Sequence, residues 1–81
     1  MATLIPNFDL AETIGTKVEI DAGTVGELVS KGIAQYGEPF RDATKVVAIM
    51  VNGRAMNLLK GGKTRLTSSD TVWFVMPSSG G

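Results

Sequence analysis

Apolar positions switch between two periods along this 81-residue chain. Leu4, Ile5 and Phe8 predict a short first strand, with Pro6 tolerable only near its end or at a free edge. Asp9 to Gly15 reads as a connection, and Lys17-Val18-Glu19-Ile20 alternates polar and apolar as a half-buried strand does, so that the two strands predict a hairpin. The period then changes. Val25, Leu28, Val29, Ile33 and Tyr36 recur at helical spacing and give one apolar stripe facing a sheet. Thr24-Val25-Gly26-Glu27 opens that helix as a capping box: the Thr24 hydroxyl can accept from the Glu27 amide while the Glu27 carboxylate reaches back. Gly37 is a natural stop, and Pro39 prevents continuation.

The second half returns to strand-like sequence. Val46 to Val51 is β-rich and ends at Asn52-Gly53, a strong turn dipeptide. Met56 to Leu66 is irregular, is interrupted by Gly61-Gly62 and has room for a short strand or helical turn around Leu58-Leu59. Thr71 to Met76 is the final strand. Two strands, one helix and two or three further strands predict an α+β fold. In it a mixed sheet of four to five strands carries one main helix across a single face, and the first and last strands are parallel neighbours.

Composition narrows the chemistry. Eighty-one residues make one small domain, with 43% apolar and 20% charged residues as in ordinary globular proteins. Without cysteine there is no disulfide, thiolate metal site or iron–sulfur cluster; without histidine the usual general base and commonest metal ligand are missing. The start lacks a basic leader segment, and no apolar run approaches the length of a membrane span, so a soluble cytoplasmic protein is expected. Net charge is zero but uneven: seven of the eight acids lie within residues 1–42, and five of the eight bases follow. Arg54, Lys60, Lys63 and Arg65 form a basic stretch without interleaved aromatics, which reads as solvated loop rather than a nucleic-acid surface. Gly62-Lys63-Thr64 resembles the end of a phosphate-binding loop, but Asn57 stands where the first glycine would be needed and no strand–loop–helix unit surrounds it. Asp9 and Glu12 are a potential carboxylate pair with no base, metal or substrate placed beside them. Nothing here predicts catalysis by the isolated chain.

The most informative segment is the last. Beyond Met76 the chain reads Pro77-Ser78-Ser79-Gly80-Gly81. Five extended residues reach roughly 17 Å, and a Gly-Gly end passes through channels too narrow for side chains. This suits a carboxylate that is itself the reacting group. A frayed terminus or linker has the same composition. The expected division is a folded domain over 1–76 and a flexible tail over 77–81.

The order of elements is that of the β-grasp, or ubiquitin-like, architecture. Val51-Asn52-Gly53, Met56, Leu59, Gly61, Thr64, Leu66, Asp70, Val72 and the terminal Gly-Gly resemble the small sulfur-carrier proteins, among them the small subunit of molybdopterin synthase and the thiamine sulfur carrier. The resemblance covers nearly the whole chain and is most specific from Val51 to Gly81. Ser69 departs from it, standing where the family usually has glycine; a positive φ there would be strained.

This resemblance implies that Gly81 is the working residue. Its carboxylate would be adenylated by a ubiquitin-activating-like partner that uses ATP. A sulfur donor such as a cysteine desulfurase or rhodanese would then convert it to a thiocarboxylate. Delivery would be to an acceptor synthase such as the molybdopterin synthase large subunit, with thiamine and cysteine synthesis as related destinations. Pro77, Ser78, Ser79 and Gly80 would form the tether, and the chain would be a protein co-substrate rather than an enzyme, binding no cofactor or metal itself. Val72 and Phe74 match core positions of the family, so strand alternation turns Trp73 and Val75 outward, leaves Met76 with the inward set, and places Ala48 and Met50 on the outer face. Trp73, Val75, Met50 and Ala48 then form an exposed partner-binding patch; packing of Trp73 under the 56–63 loop is the competing arrangement. Two other functions fit the same sequence: a ubiquitin-like modifier joined to lysines through Gly81, and a β-grasp interaction domain with an inert tail.

Overall fold

The computed structural model describes residues 1–55 and 61–76. Five strands form one mixed sheet: β1 (Ala2–Ile5), β2 (Val18–Ile20), β3 (Ala48–Val51), β4 (Arg54–Ala55) and β5 (Thr71–Val75). Their spatial order is β2-β1-β5-β3-β4. β1 and β5 run parallel, with Leu4 opposite Val72, and the other neighbouring pairs are antiparallel. Helices α1 (Phe8–Ile14), α2 (Val25–Tyr36) and α3 (Glu38–Thr44) occur along the connections. Their Leu10, Val25, Leu28, Phe40 and Ala43 join Leu4, Ile20, Val51, Val72 and Phe74 in one core. The helices therefore share one face of the sheet.

The main helix forms as its sequence predicts. Thr24 Oγ1 accepts from the Glu27 amide at 3.1 Å, and the Glu27 carboxylate reaches back one residue past the cap to accept from the Gly23 amide at 2.6 Å. The N-terminus of α2 is tied to the segment before β5 by Val25 N–H to Thr64 O and Leu66 N–H to Gly23 O.

Five local expectations are corrected. The segment Asp9–Gly15 is not a plain connection but most of α1, with Asn7 at its N-cap position; β1 and β2 pair as expected but are not joined by a tight hairpin turn. Phe8 is 76% exposed, and Leu10 supplies the buried side chain. Gly37 does end α2 with a φ of 79°, yet Pro39 does not end helical structure: it sits in the first turn of α3, where a missing N–H leaves no bond unmade. β3 begins at Ala48 rather than Val46, because the Val46 and Val47 amides donate to Ala43 O and prolong the end of α3. Met76 does not join Val72 and Phe74 in the core; it lies beyond the end of β5 and is 50% exposed. The expected strand or helical turn around Leu58-Leu59 lies outside the described residues.

α2 and α3 pack closely through Phe40. Phe40 is fully buried, stacks on Tyr36 at 6.0 Å and meets Phe74 edge-on at 5.5 Å. Its ring occupies the space a side chain on Gly32 would need, so a Cβ there would clash with the ring. Gly32→Ala is expected to destabilise by about 2–3 kcal/mol, within the range for overpacked cores. Urea unfolding of Gly32→Ala, Phe40→Leu and the double variant checks this; the two effects should be strongly non-additive, since the smaller side chain vacates the contested space.

Candidate functional site

Strand alternation divides β5 sharply. Val72 and Phe74 are buried, whereas Trp73 and Val75 are 44% and 43% exposed on the face without any described helix. Cross-strand register sets their neighbours: Met50 lies opposite Trp73, and Ala48 opposite Val75. Met50 is half-buried and Ala48 exposed. Ile49, on the other side of β3, and Val47, just before the strand, pack against the core. All four residues expected in the patch thus share one face. Sequence reasoning missed a fifth, Ile5, which pairs with Trp73 from the β1 side and is half-buried. Combining the expected β1–β5 parallel pairing with the inward direction of Leu4 was the signal that could have found it. Trp73 is flanked by Ile5 and Met50, and the stripe runs toward the end of β5 from which residues 77–81 follow.

The turn that carries the family-like motif is held by side chains. Asn52, with a φ of 51°, and Gly53, with a φ of 86°, take the left-handed conformations of a two-residue hairpin turn between β3 and β4. The Asn52 side chain then reaches toward β5. Its Nδ2 donates to Asp70 Oδ1 at 2.8 Å, and its Oδ1 accepts from the Thr71 amide at 2.9 Å. Asp70 Oδ2 accepts from the Thr67 amide at 2.8 Å. The Asn52 amide first, and the Thr67 N–H second, hold the Asp70 carboxyl below its ordinary pKa. Ser69 does not need the strained backbone considered for it: among the described residues, Asn52 is the only non-glycine with positive φ. The Ser69 hydroxyl instead lies 3.0 Å from that of Thr67.

Gly81, Gly80, Ser79, Ser78 and Pro77, and with them the proposed division at residue 76, have their tail side outside the described residues. Among the described residues no group of three His, Cys, Asp or Glu side chains could hold a metal, and no helix is long and apolar enough to cross a membrane. The basic residues Arg54, Lys63 and Arg65 are exposed, and Asp9 and Glu12 lie on α1.

Against known families, the model of the ThiS family matches residues 7–81, from the cap of α1 to the final glycine. The chain belongs to the ThiS family. Among curated proteins none matches it. Solved structures show the same fold. CysO of Mycobacterium tuberculosis superposes with a TM-score of 0.84 at 19% identity, over 96% of this chain and 100% of that one. Small archaeal modifier protein 1 from Methanosarcina acetivorans gives 0.80 at 20% identity, over 99% and 95% of the two chains. A chain in the complex of subunits 1 and 2 of molybdopterin-converting factor from Helicobacter pylori 26695 gives 0.69 at 22% identity, over 99% and 97%. The ubiquitin-like β-grasp and the sulfur-carrier family expected from the sequence are thereby established.

The Asn52–Asp70 clamp predicts a pH signature. Because the folded state lowers the Asp70 pKa, its contribution is complete above the ordinary carboxylate value of about 4 and is lost as pH falls through the lower folded value. Asp70→Asn should cost about 1 kcal/mol at pH 7, lowering Tm by about 4–8 °C for a domain of this size. Thermal melts from pH 7 to pH 2.5 should show the gap between wild type and variant closing only below about pH 4.

Proposed function

We propose that this ThiS-family chain carries sulfur on its C-terminal Gly81. A Gly81 carboxylate oxygen attacks the α-phosphorus of ATP in an activating partner, releasing pyrophosphate and leaving an acyl-adenylate. The terminal sulfur of a donor persulfide attacks the acyl carbon, AMP departs, and a thiol then cleaves the sulfur–sulfur bond to leave the thiocarboxylate. The observation that carries this reading is the family match over residues 7–81, which takes in Gly80-Gly81. The apolar stripe of Ile5, Met50, Trp73 and Val75 is the proposed docking surface for the activating enzyme and for an acceptor synthase. A tryptophan flanked by aliphatic side chains is a favourable centre for such contacts.

The acceptor we favour is the larger subunit of a molybdopterin-type synthase, in the cytoplasm. The two-subunit Helicobacter complex, whose matching chain is nearly equal in length to this one, supports that assembly. The likeness to an archaeal modifier protein supports a second reading, in which the same activated carboxylate is transferred to a lysine of a target protein.

Intact mass of the protein from its own cells, beside a form lacking Gly81, tests both. The carrier reading expects a species heavier by one oxygen-to-sulfur exchange, present only with Gly81. Gly81-dependent conjugates on a denaturing gel would instead support the modifier, and an unmodified mass with no such conjugates in any growth condition would overturn both. Trp73→Ala should weaken binding to the activating enzyme about tenfold or more, as hot-spot truncations do, with far-UV circular dichroism and cooperative unfolding retained. Global unfolding of that variant would show that Trp73 supports the core instead.

A further inference from the structure

A second surface lies on the helical side of the sheet, away from Trp73. Between α1, α3 and the end of β5 is a cleft of about 380 Å³. Leu10, Val46 and Met76 give it apolar walls, and Asn7, Asp9 and Asp42 bring polar groups to it. No basic residue is among those that line it.

Asn7 is the unusual member. Asparagine is favoured before a helix because its side-chain oxygen accepts from a first-turn amide, yet Asn7 makes no such cap to α1. It is only 7% exposed. Its Nδ2 donates to the Met76 sulfur at 3.9 Å, a weak acceptor, and among the described residues its Oδ1 has no partner. A buried amide oxygen without a donor is unfavourable, so the site gains from an occupant that brings N–H groups. Met76 both touches Asn7 and lines the cleft. Its unbranched thioether adapts readily, so turning it aside opens the amide to an incoming group.

We propose that this cleft receives an arginine side chain from a partner protein. Carboxylates stand on both helices, Asp9 on α1 and Asp42 on α3. Asp42 is only loosely engaged, its Oδ1 lying 4.0 Å from the Lys45 ammonium with both side chains 67% exposed. A guanidinium is planar, weakly hydrated and carries five N–H donors, so one group can serve the Asn7 oxygen and a carboxylate together; a lysine ammonium is a strongly hydrated point charge. The arginine methylenes would lie along Leu10, Val46 and Met76. This docking surface does not depend on the chemistry of Gly81, and its failure would leave that reading untouched.

The test is a two-dimensional ¹⁵N NMR titration of the whole protein with N-acetyl-arginine-N-methylamide at low ionic strength. The corresponding norleucine and lysine derivatives are run in parallel. The arginine probe should give saturable shifts at the Asn7 side-chain amide and at Asp9, Leu10 and Ala43, weakening as salt is added. Asp9→Asn and Asp42→Asn, both at exposed positions, should each weaken binding by up to about fivefold, the ceiling for exposed ion pairs. Asn7→Leu should abolish the arginine preference over norleucine. The proposal is overturned by scattered or non-saturating shifts, or by equal binding of norleucine. It is equally overturned by a lysine probe that binds as well as arginine, or by Asp9→Asn and Asp42→Asn variants that respond as wild type does.

Discussion

The parallel pairing of β1 with β5 is the constraint on which the rest of this small protein depends. Parallel neighbours cannot be joined by a tight turn, so the chain between Ile5 and Thr71 has to form a crossover. The helices of that crossover cover one face of the sheet and leave the other without any described helix. Leu4 and Val72, paired in register and fully buried, fix which side is inward. A slip of one residue in β5 would turn Trp73 into the core and Val72 out of it. One further bond secures that register, the Thr3 amide donating to Asp70 O where the strands begin to pair, while the Asp70 carboxylate accepts from Asn52 and ties the start of β5 to the turn after β3. The family-like Asn-Gly turn and the aspartate before the last strand are thus two ends of one structural clamp, rather than parts of a chemical site.

How much of this the sequence revealed depended on the length over which a pattern could repeat. α2 has twelve residues, three turns of stripe and an N-terminus where the Thr24 cap forms and Glu27 reaches back to the Gly23 amide. α1 and α3 have seven residues each, too few for a helical period to stand out from alternation. Phe8 misled further, being a large apolar residue that faces solvent, whereas Phe40, fully buried in the core, follows Gly37 and Pro39, which read as the end of a helix. Pro39 shows the limit of reading proline as a breaker: it forbids continuation of one helix and favours the first turn of the next.

The outer face was legible because it required only a period of two and knowledge of one inward residue. Trp73, Val75, Met50 and Ala48 follow from Val72 and Phe74. Ile5 required the neighbouring strand as well, information that no single-strand pattern contains. Asn7 was not legible at all. In sequence it is an ordinary residue between a proline and an apolar position, and its interest arises only from burial, a missing cap and contact with Met76, sixty-nine positions away.

The apolar stripe is also consistent with what a carrier would need thermodynamically. A stable binary interface takes about 800 Å² from each partner. A stripe centred on one tryptophan and four smaller side chains offers much less than that, since even a tryptophan contributes at most about 250 Å². On the proposed function this shortfall is useful, because a protein that visits an activating enzyme and then an acceptor must leave each of them. Affinity can be supplied by joining two weak contacts, the stripe on the fold and the tail in the partner's active site. Engaging either raises the effective concentration of the other. The combined contact is specific, yet it loosens by the full linkage advantage once chemistry or steric change at the tail removes one of the two.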